Sequence, residues 1–205
     1  MFRQLEFLLR ELSLTMDDFD LFTVANGPGS FTGLRVGLTA VKGWAEVHGK
    51  PIAAVSTLEA VAVQSRSGAG RLVSVLDARR GQVYFAFYQR ATSLQHSTPM
   101  LEGREQVGAP AELVQQLGLN GTDVTIATPV PELVHASLSR CETGQEASGQ
   151  GRVRIEEVSP VLAPYIGRLG ASHAEQGRLT DPLKLDANYI RPSDAEVRWK
   201  ASTGS

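Results

Sequence analysis

The densest chemistry in the sequence is a glycine-rich string, Gly-Pro-Gly-Ser-Phe-Thr-Gly-Leu-Arg, over residues 27–35. Such a turn between a strand and a helix can offer backbone N–H groups and a helix N-terminus to an anion. Gly27, Gly29, Ser30, Thr32 and Gly33 are then the candidate contacts, with Arg35 as the counter-charge. The string is not a P-loop, because no Lys-Ser/Thr pair follows Gly33, and its glycine spacing misses the dinucleotide fingerprint. A tight turn with a helix cap and a solvated arginine is the plainer reading of the same residues. A second cluster, Asp77, Arg79, Arg80 and Gly81, either sets an acid beside two anion-binding side chains or is the charged tip of a hairpin. His48, His96, His135 and His173 are scattered, and none has the four-residue helical spacing that places two imidazoles on one metal. Cys141 has no local nucleophile signature, and no serine sits in a nucleophile elbow. The residues therefore name no catalytic group and no metal site.

The elements that must position these groups follow from periodicity. Phe2, Leu5, Leu8, Leu9 and Leu12 recur at three- and four-residue spacing, which predicts an amphipathic helix over 2–12. Residues 20–26 form a strand running into the glycine turn. A helix over 34–48 follows, closed by Gly49-Lys-Pro. Leu34, Leu38, Val41, Ala45 and His48 line one of its faces. Val36, Ala40, Gly43 and Val47 form a second, and Gly33, Gly37 and Ala40 permit close approach of another backbone. A helix apolar on two sides is buried between two layers, one its own sheet and the other a partner. Further on, the sequence predicts a strand over 52–55, a helix over 56–64 and a Ser/Gly turn over 65–70. A hairpin of strands 72–76 and 82–88 opens a new sheet. Helices over 110–118 and 161–176, a strand over 124–127, a polar loop over 142–151 and a disordered tail after 192 complete the chain.

Composition bounds the rest. The chain has 205 residues, 42% of them hydrophobic and 20% charged, which supports one sizeable core or two small lobes. A net charge of -2 gives the whole protein no bias toward phosphate backbones or anionic membranes. A single cysteine fits a reducing, cytoplasmic setting. No uncharged apolar run approaches the roughly 20 residues that span a bilayer, and the charged N-terminus has no signal-peptide pattern.

The strings Val-Ala-Asn-Gly-Pro-Gly-Ser-Phe-Thr-Gly-Leu-Arg-Val-Gly over 24–37, Ala-Val-Lys-Gly over 40–43 and Ala-Val-Ser-Thr-Leu-Glu-Ala-Val-Ala over 54–62 resemble the TsaB (YeaZ) family of glycoprotease-like proteins. The resemblance continues at Leu-Asp-Ala-Arg-Arg-Gly-Gln-Val-Tyr over 76–84. A looser piece, Asp-Ala-Asn-Tyr-Ile-Arg, follows over 186–191, with Ala187 where the family often has proline. It implies an α/β, actin/Hsp70/sugar-kinase-like fold of two lobes with mixed sheets. The lobes fall at 1–70 and 71–192, with a tail over 193–205. Family members normally begin with a strand carrying an Asp-Thr-Ser motif and a β-hairpin. This sequence begins at the helix, so the first lobe is expected to be N-terminally shortened.

The resemblance also implies a role as noncatalytic partner and activator of a TsaD-like threonylcarbamoyltransferase acting at adenosine 37 of tRNA. TsaD carries a His-x-x-x-His metal pair where this sequence has Thr57 and Val61, neither an imidazole. Docking is expected through the two N-terminal helices, with Leu5, Leu9, Leu12, Leu34, Leu38 and Val41 as interface candidates. A TsaE-like ATPase, and tRNA through the complex, are the further partners implied. No cofactor is intrinsic, with ATP or ADP entering only in the complex. A nucleotide-binding enzyme of the same superfold and a homodimeric interaction protein stay open as alternatives; a peptidase has the least support.

Overall fold

The computed structural model describes residues 2–67, 70–89, 98–117, 123–142 and 151–191. Helix α1 (Phe2–Glu11) opens the described chain and buries none of its side chains. Strand β1 (Phe22–Gly27) leads into the glycine turn and helix α2 (Phe31–His48). Ser30 caps α2 by accepting from the Gly33 N–H, which starts the helix one turn before the periodicity alone indicated. Gly49 ends it in the left-handed region, with φ at 62°. Strand β2 (Ile52–Ser56) pairs in parallel with β1, and Ser56 then caps the short helix α3 (Thr57–Ala62).

The expected hairpin is strands β3 (Arg71–Arg79) and β4 (Gln82–Gln89), antiparallel and turned at Arg79 and Arg80. Both arginines have positive φ, 63° and 57°. Strand β5 (Met100–Gly108), helix α4 (Pro110–Gln116), strand β6 (Val124–Thr128), helix α5 (Pro131–Glu142), strand β7 (Val153–Glu157) and helix α6 (Ala163–Glu175) follow. They complete a mixed five-stranded sheet in the order β5-β4-β3-β6-β7. β5, α5 and β7 answer to nothing predicted from the sequence. Both strands lie at sheet edges, where only part of each is buried, so Met-Leu-Glu-Gly-Arg-Glu-Gln-Val-Gly and Val-Arg-Ile-Glu-Glu carry little of the apolar signal of an inner strand. Most of the predicted polar loop over 142–151, and the tail from 192, lie outside the described residues.

Two cores result. Val73, Val75, Phe85, Phe87, Leu113, Ile126 and Val134 fill the space between the large sheet and α4 and α5. Phe22, Val24, Leu38, Val41, Ala45, Ile52 and Leu185 pack α2 onto β1 and β2. The elements then exchange sides. Leu58, Val61 and Ala62 of α3 pack on the large sheet, whereas Leu169 of α6 packs against Val55 and Ala60. Gly170 of α6 lets that helix settle onto β1 and β2, because a Cβ there would lie 2.2 Å from Thr23 Cγ2 and 3.5 Å from Ala53 Cβ. Thr180 bridges to Ile52. α6 and Thr180 thus pack on the first sheet, whereas Leu162 and Ile190 reach the apolar cluster on the large one.

Candidate functional site

The glycine turn, the tip of the β3–β4 hairpin and the segment 188–191 meet around an open cleft of about 660 Å3. From the turn come Gly29, Ser30, Phe31, Leu34 and Arg35; from the tip, Arg79 and Arg80; from the last segment, Asn188, Tyr189 and Arg191. Four arginines thus line one cleft of a chain whose net charge is -2. Among the described residues lining it there is no carboxylate.

Two of these arginines are held in place. The Arg35 guanidinium lies 4.0 Å from the centre of the Phe31 ring, and its Nε donates to the Tyr189 hydroxyl at 3.1 Å. Phe31 and Tyr189 themselves stand 5.0 Å apart with their rings tilted by 33°. Arg191 donates to the Ala78 carbonyl at 3.3 Å, tying the chain's last described residue to the hairpin. Beside it, burial pushes the Tyr84 phenol above its ordinary pKa while the charge of Arg191 pulls the other way. Arg79 is mostly in solvent and faces Asp77 at 3.3 Å, a pair of the exposed kind that contributes little to stability. The carboxylate of Asp77 also accepts from the Arg79 N–H at 2.6 Å, which shapes the tip.

The sequence candidates divide accordingly. Gly29, Ser30 and Arg35 line the cleft. Gly27 instead sits behind it, with φ at 120° and the Asn188 carbonyl only 2.9 Å from where a Cβ would be. The Gly33 N–H is already used by Ser30, so that donor is not presented to an anion, and Thr32 does not line the cleft. Periodicity could not reveal Arg191 and Tyr189, which reach the turn from more than 150 residues away; the hydrogen bond from Arg35 to Tyr189 spans 154 positions.

The interface candidates divide too. Leu38 and Val41 are 5% and 7% exposed and belong to the core under β1 and β2, which corrects their assignment to an outer face. Leu34 packs against the same core and borders the cleft, and Leu5 and Leu9 are half-buried. Leu12 is exposed, as are Phe2, Phe7 and Leu8 on α1 and Val36 and Val47 on α2. The outward stripe of α2 is therefore the one carrying Val36, Gly43 and Val47. Phe2 meets Trp44 edge-on at 6.1 Å, which brings α1 alongside α2.

A second cleft of about 710 Å3 is bordered by Ser56, Glu59, Tyr88 and Glu105. Ser56, Glu59 and Glu105 are engaged within the fold. Glu105 accepts from the Ser56 hydroxyl and, at 2.5 Å, from Asn188 Nδ2. Glu59 meets the buried His173 at 3.1 Å. Burial drives the Glu105 carboxyl above its usual pKa, with the two hydrogen bonds and the neighbouring Glu59 as lesser influences. Thr57 and Val61 contribute no ligand atoms of the imidazole kind, and Val61 is wholly buried. Among the described residues no group of three or more His, Cys, Asp or Glu side chains could hold a metal ion. No helix among them is long and apolar enough to cross a membrane.

The family model described as TsaD, tRNA N6-adenosine threonylcarbamoyltransferase, matches residues 2–127. The chain is 42% identical over 87 residues to the tRNA threonylcarbamoyladenosine biosynthesis protein TsaB of Bacillus subtilis, a match covering 42% of this chain but only 38% of that protein. It is 30% identical over 206 residues to the protein of the same description from Haemophilus influenzae, covering 96% of this chain and 79% of that one. The fold matches that of YeaZ from Pseudomonas aeruginosa with a TM-score of 0.67 at 24% identity, over 90% of this chain and 80% of that one.

Proposed function

The chain belongs to the TsaB/YeaZ family of glycoprotease-like proteins, and from that premise we propose that it is a noncatalytic partner and activator of a TsaD-type threonylcarbamoyltransferase. The complex would move a threonylcarbamoyl group from threonylcarbamoyl-adenylate to N6 of adenosine 37 in tRNA, with a TsaE-like ATPase as further partner. ATP or ADP would enter with those subunits. The observation that carries the partner role is the uncovered apolar surface of the two N-terminal helices. Phe2, Phe7 and Leu8 on α1 and Leu12 just after it are each more than half exposed, and Val47 on α2 is 77% exposed. Apolar side chains concentrated in this way mark an association surface. Gly43 on the same outward stripe lets a second helix approach closely.

The chemistry of the chain fits a supporting role. Thr57 and Val61 stand where the catalytic relative has its metal-binding histidines, and Ser56, Glu59 and His173 are committed to contacts within the fold. The test is light scattering after size exclusion, on this chain alone and mixed with the TsaD-type subunit of the same organism. A one-to-one complex is expected, and it should weaken when Val36 and Val47 are both changed to glutamate. The same change at Leu183, which is 91% exposed elsewhere on the surface, should leave the complex intact. A folded chain that ignores the subunit, or that uses this face only to pair with itself, would overturn the proposal.

A further inference from the structure

None of Phe2, Phe7, Leu8, Leu12, Val36 and Val47, the exposed apolar residues proposed for docking, lines the arginine cleft, and its chemistry points elsewhere. We propose that it binds single-stranded RNA, with a base against the Phe31–Tyr189 pair and the flanking phosphates on Arg79, Arg80 and Arg191. The choice of RNA as the polyanion rests on the function proposed above; the fit to a chain of phosphates rests on the cleft itself.

Three observations favour a polymer over a single terminal phosphate group. First, the cations are spread round the rim, coming from α2, the hairpin tip and the segment 188–191. A site for one phosphate gathers donors on one point, usually backbone N–H groups at a helix N-terminus. Here the Gly33 N–H of that terminus is taken by Ser30 at 3.3 Å. Second, Phe31 and Tyr189 are each 39% exposed, a large share for aromatic rings already in contact with each other. Arg35, stacked on Phe31 and bonded to the Tyr189 hydroxyl, fixes the two rings as one platform. Aromatic faces flanked by guanidinium groups take unstacked bases with little regard to sequence. Third, the cleft is open and its described lining has no carboxylate, so a polyanion entering it meets no facing negative charge. Asp77 lies outside the lining and is directed to Arg79.

The test is fluorescence polarisation with a labelled decameric oligoadenylate RNA and the full chain alone, so that its outcome is separate from that of the docking experiment. Three arginine–phosphate contacts give a slope of about -2 in log affinity against log salt for a single strand. Affinity should then fall roughly twentyfold between about 50 and 200 mM salt. Changing both Arg79 and Arg80 to glutamine should cut the slope to about -0.7 and weaken binding by about tenfold or more at low salt. Both side chains are exposed at the tip, and thermal melting of the double variant checks that the fold is retained. Phe31→Leu, which keeps apolar bulk and removes the ring face, should weaken binding by roughly fivefold or more without changing the slope. The charge-matched control Arg152→Gln with Arg154→Gln, both exposed beside or on β7, should bind as the original chain does. No binding at low salt, or an equal loss in the control, would overturn the proposal. So would displacement of the RNA by ADP at concentrations comparable to the oligomer, which would make the cleft a mononucleotide site.

Discussion

Gly170→Ala tests whether α6 seats β1 and β2 as the structure describes, and through them the glycine turn. An alanine Cβ at this position would lie 2.2 Å from Thr23 Cγ2 and 2.8 Å from Thr23 Cβ. Carbon atoms at their optimal separation stand about 3.5–4.0 Å apart. Rotation about χ1 could carry Cγ2 away, but Cβ is fixed to the strand backbone, so α6 and β1 must separate by more than half an ångström. Overpacking of this kind costs about 1–3 kcal/mol. Against it stands the helix preference for alanine over glycine, about 1 kcal/mol. The expected net loss is about 1–2 kcal/mol, read as a lower urea midpoint at unchanged slope. Thr23→Ser removes the closer contact while leaving the Cβ, so the double variant should recover part of the loss. A coupling of about 0.5 kcal/mol or more is expected, as for other residues in direct contact. If Gly170→Ala is as stable as the original chain or more so, propensity alone is acting and the close seat of α6 on β1 is refuted. Additive effects in the double variant would refute the contact to Thr23 in particular.

Leu38→Glu should destabilise the fold by more than about 3 kcal/mol, since it buries a carboxylate where a 5% exposed leucine packs, whereas Val36→Glu one half-turn away should stay within about 0.5 kcal/mol; urea titration of the two separates inner from outer stripe. Arg71→Lys should cost about 1–2 kcal/mol by the same measure. The guanidinium of Arg71 meets Glu102 with two nitrogens at 3.2 Å, donates to the Leu117 carbonyl at 3.1 Å and stacks 4.1 Å over Phe87, and an ammonium cannot do all three. Glu105→Gln should raise the melting temperature at neutral pH and lose that advantage in acid. Burial holds the folded pKa of Glu105 above the ordinary carboxylate value, so the original side chain contributes fully below that ordinary value. Its contribution is lost as pH rises through the elevated folded pKa, and melting from about pH 4 to 8 should trace this.

How much of this was legible depended on how local the signal was. β1, α2, β2 and the β3–β4 hairpin could be read because apolar runs end at Gly27, Gly49-Lys-Pro and the Arg-Arg-Gly tip, each a break with a backbone reason. The edge strands β5 and β7 could not, because an edge buries too little to impose alternation on its sequence. α2 was legible as two-sided, yet not which side turned inward. The stripe of larger residues, Leu38 and Val41 with Ala45, fills the space above β1 and β2, while the stripe with Gly43 is left outside. The cleft is the least local feature of all. Its glycine turn and its arginine tip each stood out in the sequence with a plain alternative beside it, and only the fold brings them to one place with Tyr189 and Arg191.

What holds that place together is the segment around Asn188. Its backbone N–H donates to the Asn26 carbonyl at 2.7 Å, its carbonyl lies where a side chain on Gly27 would have to go, and its side chain reaches Glu105 on β5. One residue thus touches the strand that feeds the glycine turn and an edge strand of the large sheet. Tyr189 and Arg191, on either side of Ile190, then bind Arg35 of α2 and Ala78 of β3. Each contact alone is an ordinary hydrogen bond, contributing about 1 kcal/mol. Together they make the spacing between the aromatic platform and the arginine tip a property of this segment, because α2 and the hairpin approach the cleft from different sheets. The surface proposed for a partner, on α1 and the outer stripe of α2, rests instead on the packing of α2 onto β1 and β2, in a core that also takes in Leu185 and Ala187. A change at Tyr189 or Arg191 should therefore loosen the cleft and leave docking intact, whereas a change on the outer stripe of α2 should do the reverse. The two activities proposed for this chain are separable because different contacts build their surfaces.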